Sequence, residues 1–302
     1  MSKNAYLFPG QGSQYVGMGK DLFEKNPSAK AIFDTADRVL GFPFSELIFH
    51  GDSEELKQTV NAQPALLTMS IACLEAAKEV GILPNAEFTA GHSLGEYSAL
   101  VAAGALSFET ALKLSRERGR LMYEAGLKAP GTMAAVIALD YEAVKTVCEE
   151  TGAYIANLNC PGQIVISGSP DAIAAARKAA KEKGAKLVLP LQVSGAFHSP
   201  MIQSAADGLA PQIRDADIQN PQIPIVGNTS AQVITDASAV RRELTDQVCS
   251  CVRWEESVRT MLEQGVDTFY EIGPGNVLKG LLARIAPEAK CICLGKAEDM
   301  EA

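Results

Sequence analysis

The chain lacks the excess of positive charge and the long apolar runs that mark two large classes of proteins. Its 302 residues include 27 lysines and arginines against 36 aspartates and glutamates, which gives a net charge of −9 at pH 7. This excess of acidic residues disfavours nucleic acid as a ligand, because phosphate binding depends on clustered positive charge. The longest nearly apolar run, residues 97–106, falls well short of the ~20 residues that a membrane span requires. We therefore expect neither a nucleic-acid partner nor a membrane partner.

An export signal and a disulfide framework are also missing. Residues 1–3 lead almost directly into a strand-like segment, without the apolar stretch and cleavage site of a signal peptide. The seven cysteines are odd in number, and a chain of this length needs no disulfide staples. The pairs Cys249/Cys251 and Cys291/Cys293 are separated by one residue, which is not the spacing of a zinc site. We expect reduced thiols, no metal site and a cytoplasmic protein.

Hydrophobic periodicity predicts two patterns of strands and helices. The first part alternates them as in a parallel sheet: strand 3–8, helix 64–80, strand 88–91 and helix 97–103. From about Gly131 the order becomes βαββαβ, the ferredoxin-like unit: strand 132–139, helix 141–151, strands 154–159 and 163–168, helix 171–183 and strand 186–193. The alternating pattern then resumes, and the charged tail after Leu294 is expected to be loose. We predict an α/β fold in which a small domain, residues 127–195, interrupts a larger one, residues 1–126 and 196–302.

The segment Gly91-His92-Ser93-Leu94-Gly95 matches the pattern G-x-S-x-G and lies between a predicted strand and a predicted helix. This is the context of a nucleophile elbow, in which two glycines permit a tight turn that lifts the serine hydroxyl clear of the sheet. The Leu94 backbone N–H would then face a developing oxyanion. Ser93 is therefore the candidate nucleophile.

A serine nucleophile needs a base, and the chain has only three histidines. His92 is adjacent to Ser93 in a tight turn, so the two side chains should diverge, and His50 lies in a polar turn typical of a helix entry. His198 lies where the inserted domain returns the chain to the larger one, and clefts between domains often bind ligands. We favour His198 as the base; the alternative, a helix-entry histidine without a chemical role, stays open.

Arg118 is expected to point inward from a helix spanning residues 107–125. At 100° per residue it shares the apolar face with Leu114 and Leu121, whereas Arg116 and Arg120 lie on another side. A buried guanidinium is costly unless it is paired, and its planar fork suits a carboxylate. Two interpretations remain open: a structural ion pair with an internal Asp or Glu, or a receptor for a substrate carboxylate.

The loop 10–14, GQGSQ, follows the first predicted strand immediately. It lacks the lysine of a phosphate-binding P-loop and the glycine pattern of a dinucleotide site. A turn of this kind can instead donate a second backbone N–H to an oxyanion hole.

Several further motifs occur together with these: FPGQGSQ at 8–14, QPALL at 63–67, GHSLGEYSAL at 91–100, NCPGQIVISG at 159–168, GAFHSP at 195–200, VRW at 252–254 and EIGPG at 271–275. In this order, and over essentially the whole chain, they closely resemble the malonyl-CoA:acyl carrier protein transacylases of type II fatty acid synthesis. The resemblance implies an α/β-hydrolase-like large domain with a parallel sheet and an inserted ferredoxin-like (βαββαβ) small domain.

The resemblance also implies a role for individual residues. Ser93 would be the nucleophile and His198 its base, with the backbone N–H groups of Gln11 and Leu94 as oxyanion donors. The backbone carbonyl of Gln247 would orient the histidine in place of an aspartate.

For the substrate, the resemblance implies that Arg118 clamps the malonyl carboxylate. Gln63 and Asn159 match polar residues of the acyl pocket. Phe197 matches a residue associated with malonyl in preference to branched acyl units.

The implied activity moves a malonyl group from malonyl-CoA to the phosphopantetheine thiol of acyl carrier protein through a malonyl-serine intermediate, without metal or redox cofactor. Two alternatives remain. A serine hydrolase, an esterase or thioesterase, would share the elbow but usually needs an acidic triad partner, for which Asp140 and Asp171 are poorly placed. A non-catalytic acyl-CoA or carrier-binding protein would function without Ser93.

Overall fold

The computed structural model describes residues 2–301. The strands that it contains are β1 (Lys3–Phe8), β2 (Phe88–Gly91), β3 (Thr132–Ile137), β4 (Tyr154–Cys160), β5 (Gln163–Gly168), β6 (Leu187–Pro190), β7 (Ile225–Val226), β8 (Val233–Ile234), β9 (Val266–Ile272) and β10 (Lys290–Leu294). The α-helices are α1 (Lys20–Lys25), α2 (Pro27–Leu40), α3 (Phe44–His50), α4 (Ser53–Lys57), α5 (Thr59–Glu79), α6 (Gly95–Ala102), α7 (Phe108–Lys128), α8 (Tyr141–Thr151), α9 (Pro170–Glu182), α10 (Gln203–Asp215), α11 (Ala237–Gln247), α12 (Trp254–Glu263) and α13 (Val277–Ile285).

The larger sheet has the strand order β10-β9-β1-β2-β7-β8. Its pairs are parallel except for β7 with β8. Strand β2 is buried along its whole length, as expected for a strand covered by helices on both faces. Phe8 and Gly91 are paired at the ends of β1 and β2. The loops that follow these two strands therefore leave the sheet side by side, which is where a site in an open α/β sheet forms.

The smaller sheet is antiparallel, in the order β4-β5-β3-β6, and its chain order with α8 and α9 is βαββαβ. Strands β4 and β5 are joined by Pro161-Gly162, and Gly162 has a φ of +73°, which glycine adopts without strain. The two helices cover one face, where buried aliphatic side chains form a separate core. The α/β fold with a ferredoxin-like unit is thus confirmed, while the boundaries at 127 and 195 stay a prediction.

Strand β4 also connects this unit to the rest of the protein. The Leu158 N–H donates to the Val252 carbonyl and the Val252 N–H donates to the Ala156 carbonyl, each over 2.9 Å. The end of β4 is therefore held against the segment that follows α11.

Helix α5 begins at Thr59, five residues before the predicted start at Pro64, so the prediction that Pro64 opens the helix is wrong. Proline has no N–H to donate to the carbonyl four residues earlier. That carbonyl, on Val60, instead accepts a hydrogen bond from Arg116 Nη1 of α7 over 2.9 Å. A side chain from a distant helix thus satisfies the carbonyl that the proline leaves free.

The tail after Leu294 is packed rather than loose. Residues Ala297–Met300 form a short 3₁₀ turn in which Ala297 and Met300 are buried. The Ala297 N–H donates to the Asp21 carboxylate over 2.6 Å, which ties the tail to α1. Within residues 2–301, none of the helices combines the length and the apolar character that crossing a membrane would take.

Candidate active site

The turn between β2 and α6 is too tight for any residue but glycine at two positions. A Cβ on Gly91 would lie 1.9 Å from the Gly95 carbonyl carbon, and a Cβ on Gly95 would lie 2.1 Å from the Phe8 carbonyl oxygen. Between them Ser93 has a φ of +51°, in the left-handed region. This is the strained geometry of a nucleophile elbow, and it sets Ser93 ahead of the first turn of α6.

Ser93 and His198 are in contact. The Ser93 hydroxyl lies 2.8 Å from His198 Nε2, and His198 Nδ1 lies 3.0 Å from the Gln247 backbone oxygen. A carbonyl oxygen only accepts, so Nδ1 carries the proton and Nε2 is left to accept the serine proton. His198 itself has a φ of +56°, so both partners hold a left-handed backbone.

The imidazole is held in its neutral form. Burial, and after it the charge of Arg118, lower the pKa of His198 to about 3. Both causes disfavour the imidazolium, because one removes water from the charged form and the other places a second positive charge nearby. At neutral pH His198 can therefore act as a proton acceptor.

Arg118 is 1% exposed on α7, and its donors meet only neutral oxygens. Nη1 donates to Gln63 Oε1 over 2.6 Å, while Nη2 donates to Gln247 Oε1 over 2.8 Å and to Ser93 Oγ over 3.1 Å. No Asp or Glu oxygen of residues 2–301 lies within 4.0 Å of the guanidinium, so the structure does not contain the internal ion pair that the sequence left open. A buried guanidinium with no carboxylate in direct contact is unusual, and it favours a site for an anion.

The loop after β1 reaches the same place. Gly10 packs against the elbow so closely that a Cβ on it would lie 2.4 Å from the His92 carbonyl oxygen. The Gln11 side chain accepts a hydrogen bond from Thr59, whose hydroxyl also accepts from Gln63. Across the described part of the chain, the backbone N–H groups of Gln11 and Leu94 donate to no protein group. Two unused donors at an elbow suit an oxyanion hole.

Asn159 and Phe197 lie near the site but not in its central hydrogen-bond network. Asn159 Oδ1 lies 2.9 Å from His92 Nε2, so this residue braces the elbow through the histidine next to Ser93. Its amide nitrogen donates to Gln163. Phe197 is buried in the main core beside His198. Neither residue is hydrogen-bonded to Ser93, His198 or Arg118 among residues 2–301.

Two residues that sequence reasoning missed complete the network. Asn228, after β7, accepts the Ser93 backbone N–H over 2.7 Å and donates to the Gly91 carbonyl over 2.7 Å. Glu96, which is 1% exposed on α6, accepts from the Asn228 backbone and side-chain nitrogens and from Gln247 Nε2. A glutamate in an otherwise apolar helix directly after the elbow is a signal for Glu96; no sequence signal singles out Asn228.

Glu96 is subject to opposing influences. Burial, and after it the Glu243 carboxylate, raise the pKa of Glu96 well above its usual value, and hydrogen bonds from Asn228 and Gln247 and the charge of Arg118 offset this rise only in part. Three N–H donors meet its two oxygens. A carboxylate accepts at both oxygens, whereas a carboxylic acid must donate at one, so these hydrogen bonds suit the ionised form.

Neither of the acidic residues weighed as a triad partner reaches His198. Asp140 caps α8 by accepting the Ala143 N–H over 2.8 Å, and Asp171 lies in the first turn of α9. Residues 2–301 also contain no cluster of His, Cys, Asp and Glu that could hold a metal ion.

Comparison with known proteins agrees with this geometry. A profile for the acyl transferase domain matches residues 5–295. The chain is 51% identical over 306 aligned positions to the malonyl CoA-acyl carrier protein transacylase of Bacillus subtilis (strain 168), which covers 100% of this chain and 96% of that protein.

Solved structures give the same result. An acyl-carrier-protein-S-malonyltransferase from Bartonella henselae superposes with a TM-score of 0.96 at 40% identity, covering 99% of this chain and 97% of that one. A malonyl-transacylase in complex with a type II PKS acyl-carrier protein superposes with a TM-score of 0.96 at 40% identity, covering 99% of this chain and 98% of that one. The chain therefore belongs to the acyl transferase family, among its malonyl CoA-acyl carrier protein transacylases.

Proposed function

We propose that this protein transfers a malonyl group from malonyl-CoA to the phosphopantetheine thiol of acyl carrier protein, for fatty acid chain elongation. The observation that carries the proposal is the buried Arg118: no Asp or Glu oxygen of residues 2–301 is in contact with it, and its Nη2 lies 3.1 Å from the Ser93 hydroxyl. A transferable acyl group that itself ends in a carboxylate would supply the missing counter-ion at that distance from the nucleophile.

In the first half-reaction, His198 Nε2 takes the Ser93 proton as the hydroxyl attacks the thioester carbonyl. Negative charge develops on the carbonyl oxygen, and the backbone N–H groups of Gln11 and Leu94 stabilise it. The carbon–sulfur bond then breaks and His198 gives the proton to the departing CoA sulfur. Malonyl-serine remains on the enzyme. The Gln247 carbonyl holds the imidazole in position and accepts its Nδ1–H throughout.

In the second half-reaction, the thiol of the carrier protein attacks malonyl-serine, with His198 again as the base, and Ser93 is released. The solved complex of a related malonyl-transacylase with an acyl-carrier protein supports this partner. Every proton and electron pair is accounted for by these groups, so the proposed reaction requires no metal or redox cofactor.

Substrate selection is assigned to the residues around Arg118. Gln63 and Gln247 hold its two terminal nitrogens, while Nε has no partner within residues 2–301. The malonyl carboxylate would compete with Ser93 Oγ for Nη2 and draw the guanidinium towards itself. Phe197 and Asn159 are proposed to bound the acyl pocket.

The proposed location is the cytoplasm. The seven cysteines are all free thiols, the state that a reducing compartment maintains. Cell fractionation with an antibody to the protein tests this location.

The activity is tested by mixing the purified protein with malonyl-CoA alone and measuring its intact mass, with Ser93→Ala in parallel. We expect a stable gain of one malonyl group on the wild type only, discharged when the holo carrier protein is added. Release of free malonate without an adduct would contradict the transferase and favour a hydrolase.

A further inference from the structure

The carboxylate of Glu96 lies behind the reacting groups, and neither the proposed reaction nor the resemblance assigns it a role. It touches neither Ser93 Oγ nor His198. It accepts hydrogen bonds from the Asn228 backbone N–H and from the side-chain amides of Asn228 and Gln247, and each of these amides in turn contacts a group that the chemistry uses.

The Asn228 amide can point in only one direction. Its oxygen accepts the Ser93 backbone N–H over 2.7 Å, so its nitrogen faces Glu96 Oε1 at 3.0 Å and the Gly91 carbonyl at 2.7 Å. Rotation of the amide by 180° would bring its N–H₂ against the Ser93 N–H and its oxygen against two other oxygens.

The Gln247 amide is constrained in the same way. Its oxygen accepts from Arg118 Nη2 over 2.8 Å, and its nitrogen donates to the Ser93 carbonyl over 2.9 Å and to Glu96 Oε2. The opposite orientation would place N–H₂ against the Arg118 donor. Both amides therefore present N–H to Glu96, and only a residue that accepts at both of its oxygens satisfies them.

We propose that Glu96 is a positioning residue whose two accepting oxygens fix the orientation of the Asn228 and Gln247 amides, and through them the Ser93 backbone and Arg118. The proposal rests on the proposed acyl transfer, in which Ser93 is the nucleophile, but it concerns the reactivity of Ser93 towards any electrophile. It requires acceptance at both oxygens, so an amide in place of the carboxylate should fail although its shape is almost the same.

A second buried glutamate provides the matched control. Glu243 accepts from the Thr229 N–H over 2.7 Å and from the Thr229 hydroxyl over 2.6 Å. In Glu243→Gln the new N–H₂ can donate to the Thr229 hydroxyl oxygen, because a hydroxyl can reverse its role. In Glu96→Gln the new N–H₂ must face either Asn228 or Gln247, and neither can reverse without losing a bond to Ser93 or Arg118.

The experiment measures the rate at which a neutral fluorophosphonate labels Ser93, and the rate of acylation by malonyl-CoA, in the wild type and both variants. Misplacement of a reacting group by about 1 Å costs about 100-fold in rate. We expect Glu96→Gln to slow labelling by about 10- to 100-fold and Glu243→Gln by less than about 3-fold. Equal rates in Glu96→Gln and the wild type would overturn the proposal.

A rescue separates positioning from a general loss of packing. Gln247→Glu alone sets two carboxylates face to face. Combined with Glu96→Gln it again places an acceptor opposite a donor between positions 96 and 247 and keeps an oxygen for Arg118, although the Ser93 carbonyl still loses the N–H that Gln247 donates to it. We expect the double variant to be labelled at least about 5-fold faster than the product of the two single effects predicts, because contacting residues that share a hydrogen bond are strongly coupled. Effects of the two substitutions that simply multiply would contradict the proposal.

Two further outcomes are decisive. If Glu96→Gln does not fold, the double variant must fold and be labelled, since position 96 again presents a donor to an acceptor at position 247; failure of both overturns the proposal. If the wild type is labelled by the fluorophosphonate but forms no malonyl adduct, the proposed function fails while the comparison of labelling rates still tests Glu96.

Discussion

Helix α7 places two arginines in opposite surroundings. Arg120 is exposed and donates to the Glu117 carboxylate over 2.6 and 2.7 Å, and it also contacts Glu124. Arg118, two residues earlier, is buried and meets amide and hydroxyl oxygens alone among residues 2–301. Arg120 is therefore in direct contact with carboxylates of the protein, whereas Arg118 has no such contact within the described chain and its terminal nitrogens are available to a ligand.

The cost of the two arrangements differs accordingly. An exposed ion pair changes the free energy of unfolding little whether it is formed or broken, because water solvates both partners. A buried guanidinium with no carboxylate in contact opposes folding, and its neutral acceptors, together with the more distant charge of Glu96, offset that cost only in part. Such an arrangement is typical of a site where a protein gives up stability for function.

The largest effect is expected in the interior network, at His198. In His198→Ala the Ser93 hydroxyl loses its proton acceptor, so transfer should fall by about 10⁴- to 10⁶-fold, as in other serine enzymes that lose the base. Steady-state assays with malonyl-CoA and carrier protein measure it. A loss below tenfold would show that another group takes the serine proton.

A smaller loss of activity is expected when Arg118 is replaced by a residue that is also positively charged but lacks the planar guanidinium. Arg118→Lys offers one point charge in place of a planar fork, so it cannot hold Gln63, Gln247 and a carboxylate together. We expect kcat/KM for malonyl-CoA to fall by about 10- to 100-fold, equivalent to about 1.4–2.8 kcal/mol. Wild-type values in this variant would mean that the fork geometry is unimportant.

Removing the charge of Arg118 should also change the titration of His198. Burial and Arg118 lower the pKa of His198 to about 3, so the imidazole stays neutral as the pH falls through the usual histidine range. In Arg118→Ala the second-largest cause disappears, while burial and the nearby His92 remain, so the midpoint should move up, towards the ordinary value of about 6.5. NMR of labelled imidazoles, assigned with His198→Ala, measures both midpoints. A wild-type midpoint near the ordinary value would be inconsistent with this environment.

The smallest effect is expected on the outer face of the helix. Arg120→Ala removes an exposed ion pair, so unfolding free energy should change by less than about 1 kcal/mol and less still at high salt. Malonyl transfer should be unchanged. Denaturant unfolding at two salt concentrations, with parallel assays, checks both statements; a loss of activity would give this face a role beyond solvation.

Much of the fold was predictable because hydrophobic periodicity and turn residues act locally. The order βαββαβ and the strand-turn-helix around Ser93 follow from such signals. The start of α5 did not, because the carbonyl that Pro64 leaves free is satisfied by Arg116 from another helix. The packed tail likewise depends on Asp21, far away in sequence.

The candidate site likewise contains residues that local sequence signals indicate and residues that only distant contacts bring into place. Sequence reasoning singled out Ser93 from its glycines and Arg118 from its helical angle, and the structure places both in one hydrogen-bond network with His198. The partners of Arg118 could not be predicted, because both amide and carboxylate oxygens can accept from an inward-facing arginine and the sequence does not show which of them lies opposite it. Glu96 and Asn228 were missed because their roles consist of contacts between distant segments.

The central claim is that Arg118 is left without an acidic partner so that it can bind the carboxylate of the acyl group. The most direct measurement compares the rates at which malonyl-CoA and acetyl-CoA acylate Ser93, by intact mass after rapid quenching, in the wild type and in Arg118→Ala. We expect the malonyl rate to fall by about 100- to 1,000-fold, as when a buried charge pair is broken, and the acetyl rate to change far less. Equal losses for the two substrates would contradict the account.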